Sequence, residues 1–143
     1  MTMPVSYVYE KRPWYPNMRP EDVAIWERFI DKFPDEYQKV SYDVLVGSPP
    51  PFDTNVNADG SGDDVRLYKK KIDVVGFRQG VTDIIELKPA AGMSALGQII
   101  GYVGLYKRDI GSALPLRAML VTDIERLDMR ELAEKNNVFL VVV

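Results

Sequence analysis

Neither cysteine nor histidine occurs anywhere in the chain. The first absence excludes disulfides and iron–sulfur clusters, and the two together exclude structural zinc. Without histidine no nucleophile can be paired with an imidazole base, so the triad hydrolases are excluded as well. Apolar runs are short: none approaches the roughly 20 residues of a membrane-spanning helix. The N-terminus has no signal-peptide pattern. Charge of one sign is not in strong excess either, the formal net charge being −3. That argues against a generally basic coat for nucleic acid and leaves room for a local basic groove. A hydrolase written in this alphabet depends on carboxylates, lysine and tyrosine, with an oxygen-preferring cation such as Mg²⁺ or Mn²⁺. The expected setting is the cytoplasm, a host cytoplasm or a virion if the protein is phage-encoded, with no membrane partner.

What is present is enough for one core: 143 residues, 46% of them hydrophobic. Residues 1–19 hold Pro4, Pro13 and Pro16 and several aromatics without periodicity, and read as an extended arm. Residues 20–143 read as a single domain. Pro20, Glu21 and Asp22 suit a helix start, Pro34 suits its stop, and Val23, Trp26, Phe29, Ile30 and Phe33 give it an apolar face. A short strand follows from Tyr42 to Gly47, then a Pro-rich and Asn/Asp/Gly-rich loop from Ser48 to Asp64. Val65–Phe77 and Val81–Lys88 read as two strands joined by a turn at Gln79-Gly80, with Pro89 ending the second. Met93–Tyr106 is helical, and its Gly97, Gly101 and Gly104 share a face, a smooth strip expected to lie close against the sheet. Leu116–Thr122 is a strand. Ile124–Lys135 is a helix opening behind Thr122 or Asp123 as cap, and Val138–Val143 is a buried strand. The hairpin implies antiparallel strands and the strand–helix–strand ending a parallel crossover. The fold class is α/β, a mixed sheet flanked by helices.

Polar residues interrupt this apolar framework in a fixed order. A two-residue turn at Gln79-Gly80 pairs Arg78 with Val81, and counting back sets Asp73 opposite Glu86. Facing carboxylates on adjacent strands repel, and a bound cation would turn that repulsion into ligation. A three-residue turn with a bulge would separate them. Lys88 is two residues beyond Glu86 and so shares its face. There its ammonium could orient an attacking water and balance charge on a phosphate. Gln98 and Tyr102, four apart on the next helix, are neighbours able to hold Lys88, a phosphate or a strand end. An acidic-x-Lys triplet alone arises by chance about once in a chain of this length. Its weight comes from order, spacing and placement together.

Asp73 in Ile-Asp-Val-Val-Gly, Glu86-Leu87-Lys88 and Gln98-Ile-Ile-Gly-Tyr102 resemble the PD-(D/E)xK nuclease superfamily, in its branch similar to the RecB and lambda-exonuclease nucleases. The likeness covers Pro20 to Val143. It implies a restriction-endonuclease-like α-β-β-β-α-β core plus a C-terminal helix and strand, and a divalent-metal-dependent deoxyribonuclease. By that resemblance Asp73, Glu86 and the Leu87 carbonyl hold Mg²⁺ or Mn²⁺, Lys88 positions the nucleophile, Gln98 and Tyr102 support the site, and Glu27 is the acid supplied by the first helix. The proline many members place before the Asp is replaced by Ile72. The histidine of some members is missing, which leaves the number of metal ions open.

Arg66, Lys69, Lys70, Lys71 and Arg78 read as contacts to DNA phosphates, or equally as a solvated strand face carrying lysines. Asp53, Asn55, Asn57 and Asp59 fail as a calcium loop, since neither starting register supplies both the required Gly and the closing Glu. Trp14 and Tyr15 could stack on a base or dock a partner, whether a second copy or a phage assembly component; packing of the arm on the domain is the plainer option. The leading expectation is a DNA nuclease, exo- or endonucleolytic, in phage DNA processing or packaging. The alternative is a nuclease-fold virion or assembly module that binds DNA or protein with little cleavage. An RNA substrate is a third option.

Overall fold

The computed structural model describes residues 4–48 and 69–143. The elements run α1 (Pro20–Lys32), β1 (Lys39–Val46), β2 (Lys70–Arg78), β3 (Val81–Leu87), α2 (Met93–Asp109), β4 (Leu116–Thr122), α3 (Met129–Lys135) and β5 (Val138–Val142). The strands form one sheet in the order β1-β2-β3-β4-β5. Pairing is antiparallel from β1 to β3 and parallel from β3 to β5. α1 and the arm cover one face and α2 and α3 the other, so the sheet is the middle of three layers. This is the mixed α/β architecture that a hairpin followed by two strand–helix–strand units produces. No helix among the described residues is long and apolar enough to cross a membrane.

The hairpin has the tight register. Arg78 pairs with Val81 and Val74 with Ile85, and Gly80 takes a φ of +86°, which a side chain would resist. Gly76 is required for another reason: a Cβ there would sit 2.4 Å from the Tyr37 ring.

Several boundaries differ from the sequence reading, each for a visible reason. β1 begins at Lys39 rather than Tyr42, because Lys39, Val40 and Ser41 pair with Phe77, Gly76 and Val75 of β2, and on its other edge Val40 exchanges backbone hydrogen bonds with Tyr7 of the arm at 2.7 and 3.0 Å. The arm therefore packs onto the domain, with Tyr9 and Tyr15 buried in the α1-side core. α3 begins at Met129, not Ile124. The two residues expected to cap it are engaged elsewhere: Thr122 Oγ1 accepts from the Ala91 amide at 2.9 Å and Asp123 Oδ1 from the Ala90 amide at 2.7 Å. The chain turns instead at Asp128, whose φ is +67°. The acidic loop, Val65 and Arg66 lie outside the described residues.

The glycine strip is also reversed. Gly97, Gly101 and Gly104 are exposed, and α2 packs on the sheet through Ala95, Leu96, Ile99 and Tyr106. At about 100° per residue, Gly101 lies some 200° round the helix from Ile99, pointing away from the sheet.

Candidate functional site

Alternation in β1 and β2 breaks at one level of the sheet. Val40 and Tyr42 face the α1-side core, whereas Val44 and Val46 face the α2 side. In β2, Ile72 faces the α2 side and Val74 the α1 side. Residues two apart in a regular strand share a face. The switch falls at Asp43, whose φ of +52° is left-handed, and at Asp73, the position opposite it in register. Asn17 of the arm, itself at φ +48°, donates to Asp43 Oδ2 at 2.7 Å.

At this break the ladder gives way to a side chain. Asp73 is buried, and its Oδ2 accepts from the Leu87 amide at 2.9 Å. Glu86 lies across from it by continuation of the hairpin register. Burial first, and the Asp73 charge second, hold the Glu86 carboxyl far above the usual carboxylate range. Its Oε2 is buried and has no hydrogen-bond partner among the described residues. Lys88 follows at the strand end, its backbone amide fixed to the Val121 carbonyl at 3.0 Å, and the residue is exposed.

These residues border a cavity of about 310 Å³ lined by Arg19, Glu21, Asp22, Lys71, Asp73, Glu86, Leu87, Lys88, Pro89, Gln98 and Tyr102. The sheet thus brings Asp73, Glu86, Leu87 and Lys88 together, and α2 adds Gln98 and Tyr102. Burial, and next the Glu86 charge, push the Tyr102 phenol up to about 12. Lys71 adds a cation, its ammonium donating to the Asn17 carbonyl. The arm therefore fixes both a lysine of the cavity and the left-handed Asp43.

Glu27 is not part of this cavity. Its Oε2 accepts from the Tyr15 hydroxyl at 2.8 Å, which commits it to holding the arm. The first helix contributes Glu21 and Asp22 instead. Asp22 is buried, and its carboxyl is pushed up to about 6 by burial and then by Asp73. The signal was readable: Asp22, Ile25, Trp26 and Phe29 follow helical spacing, so Asp22 is an acid on the apolar stripe. Reading the stripe from Val23 rotated it away.

The basic residues divide. Lys71 lines the cavity, and Lys70 lines a neighbouring groove. Lys69 acts on Asp109, whose carboxyl is held low mainly by its hydrogen bond from Arg108. Arg78 lies five residues along β2 from Asp73, roughly 17 Å at the usual rise. Its guanidinium is taken by Glu36 at 2.7 Å, so it does not join the site. Trp14 is exposed and Tyr15 buried, so the two do not act as a pair.

Among the described residues no three acidic side chains gather closely enough to cage a metal ion. Two facing carboxylates with one orphaned oxygen still fit Mg²⁺, which binds through one or two carboxylates and retains several waters.

Among solved structures, the crystal structure of a repair endonuclease from Pyrococcus abyssi is similar to this chain, with a TM-score of 0.50 and 20% sequence identity. The fold is nuclease-like. The match covers 90% of this chain and 49% of that one, so the chain spans about half the length of its structural neighbour. No family model and no curated protein matches the sequence.

Proposed function

We propose that this chain is a divalent-cation-dependent nuclease that hydrolyses DNA phosphodiester bonds in the cavity between α1 and α2. The observation that carries the reading is Glu86, a buried carboxylate facing Asp73 with an oxygen, Oε2, that has no hydrogen-bond partner among the described residues. A carboxylate in that state needs a proton or a cation, and Mg²⁺ or Mn²⁺ held by Asp73 and Glu86, with the Leu87 carbonyl at hand, answers the need. When bound, the cation offsets the negative charge that develops on the phosphate.

The chain's own groups do the rest. The Asp73 carboxylate is fixed by the Leu87 amide, so its free oxygen keeps its direction as substrate enters. Lys88, on the next residue, donates from its ammonium to the attacking water and to a phosphate oxygen. Lys71 and Arg19 draw the phosphate backbone to the mouth of the cavity. The Gln98 amide and Tyr102 hydroxyl hold the strand on the α2 side. Asp22 is the acid from the first helix, in the place expected of Glu27. The similar repair endonuclease supports DNA as the substrate class.

The test is cleavage of linear and circular DNA with Mg²⁺ or Mn²⁺, with and without EDTA. Lys88→Ala and Glu86→Gln are each expected to lower cleavage by roughly 10²–10³-fold, with Glu27→Gln close to wild type. Cleavage that survives Glu86→Gln unchanged would sink the mechanism. DNA binding without cleavage under every metal condition would favour a nuclease-fold binding module.

A further inference from the structure

The arm is fastened to the domain at several points before it reaches the cavity. Tyr7 exchanges backbone hydrogen bonds with Val40, Tyr9 and Tyr15 are buried, and the Tyr15 hydroxyl donates to Glu27. Lys11 pairs with Asp31 at 2.8 Å. Asn17, an exposed residue with a left-handed φ of +48°, then makes two bonds of a different kind. Its side-chain amide donates to Asp43 Oδ2 at 2.7 Å, and its backbone carbonyl accepts from the Lys71 ammonium. Asp43 lies on β1 and Lys71 on β2, so one turn ties both strands beside the level at which they change face.

The kind of acceptor matters. Lys71 lines the cavity with Asp22, Asp73 and Glu86, and a lysine stem is long and flexible. Left loose among acids, an ammonium settles on a carboxylate, and the two charges cancel. A backbone carbonyl holds it without a net charge of its own. An ammonium has three donors, and the described residues take one of them. From this position it still acts on the acids: burial pushes the Asp22 and Glu86 carboxyls up most, and Lys71 pulls both the other way. The turn itself is braced, since Met18 packs on the α1-side core and the Arg19 carbonyl accepts the Asp22 and Val23 amides at 3.0 and 2.9 Å.

We infer that Asn17 is a positioning residue for DNA binding. It holds the Lys71 ammonium at the cavity, off the acids that take the cation and with donors left for a phosphate of the bound strand. A lysine on a phosphate carries no sequence information, so this contact sets the register of the strand over Asp73 and Glu86. A tie that served only to fasten the arm would need the Asp43 bond alone, and the arm is already fastened elsewhere. The inference rests on the nuclease reading of the cavity.

The experiment is a double-mutant cycle in the full-length chain: wild type, Asn17→Gly, Lys71→Met and the two together. Glycine accepts the left-handed φ and keeps the carbonyl, so it removes only the bond to Asp43; melting curves check that each variant is folded. Dissociation constants are measured in Ca²⁺ at several salt concentrations for a short labelled oligodeoxynucleotide, single-stranded and duplex, and kcat and KM in Mg²⁺. Lys71→Met is expected to weaken binding roughly tenfold and to make the log–log salt slope shallower by about one. Asn17→Gly is expected to raise Kd and KM on the order of fivefold, with kcat within about twofold of wild type, the pattern of a lost binding contact. The double variant is expected to match Lys71→Met within about twofold, because Asn17 acts through that lysine. Wild-type affinity in Asn17→Gly overturns the inference. So does a double variant whose loss is the product of the two single losses, since Asn17 would then act without Lys71. If wild type cuts DNA and the losses multiply, the positioning role falls and the nuclease reading stands. If wild type binds without cutting and the double variant matches Lys71→Met, the positioning role stands and the nuclease reading falls. If wild type binds neither form of the oligonucleotide, both fall.

Discussion

Two buried carboxylates sit three residues apart on β3 and are treated in opposite ways. Asp83 is fully buried, and both of its oxygens are used. Arg117 donates to them at 2.8 and 2.6 Å, and the Tyr37 hydroxyl donates at 2.6 Å. Arg117 in turn lies over the Phe139 ring at 4.6 Å and within 3.7 Å of Glu36. Glu86 is nearly as buried, faces another acid, and keeps an oxygen without a partner. The same strand therefore has the means to satisfy a buried acid and does so at one end only. A defect of packing would be indifferent to position. This one coincides with the cavity, with Lys71 and Lys88, and with the level at which β1 and β2 change face. On the proposed reading, the unsatisfied acid is a place held for something that comes from outside.

The largest expected effect lies at the satisfied end. Arg117→Met removes the guanidinium and leaves Asp83 buried and charged, with only Tyr37 to hold it. Breaking a buried pair in this way costs about 3–5 kcal/mol, to be read as a loss of unfolding free energy in urea. A loss under about 1 kcal/mol, the worth of an exposed pair, would show that Asp83 is not a structural anchor, and the contrast with Glu86 would lose its reference.

Much of this architecture was legible before any coordinates. The order of elements, the Arg78–Val81 register and the facing of Asp73 and Glu86 all follow from short-range rules, because turn geometry and strand parity act over neighbouring residues. What was not legible depended on partners distant in sequence. Thr122 and Asp123 look like helix caps until the loop at Ala90 and Ala91 takes their oxygens. The start of β1 depends on Val75, Gly76 and Phe77, more than thirty residues away in sequence. Periodicity found a glycine strip on α2 and could not tell which way it faced, since Ile100 and Leu105 add apolar bulk outside the buried stripe. The resemblance points to Glu27 as the acid of the first helix, whereas the structure puts Asp22 at the cavity. The face switch at Asp43 carries no sequence signal beyond the tolerance of Asp for a left-handed φ.

A middle-sized effect is expected at the unsatisfied end. Glu86→Gln keeps the shape and removes one of two opposed acids, so in EDTA near pH 7.5 the variant should be more stable by about 1–2 kcal/mol. That corresponds to a rise of roughly a few degrees in melting temperature. Adding Mg²⁺ should raise the melting temperature of wild type through binding to the native state, and leave the variant almost unmoved. A variant less stable than wild type in EDTA would mean that the fold already satisfies Glu86, and the two carboxylates would no longer differ in kind.

The smallest effect is a slope, and it separates the carboxylates without metal. Glu86 is raised from an ordinary value of 4.5, and Asp22 from 3.8 to about 6. An acid whose pKa is raised by folding binds more protons in the native state than in the unfolded one. Stability from such a group is therefore lost as pH rises above its unfolded value. In EDTA the advantage of Glu86→Gln over wild type should be widest near pH 8 and should narrow as pH falls towards 5. Every other titrating group is common to both proteins, so the difference between their melting temperatures isolates this pair. A pH-independent gap between Glu86→Gln and wild type would mean that Glu86 is charged in the free protein throughout this range. Its neighbourhood would then already supply the countercharge that the cavity is proposed to take from a cation.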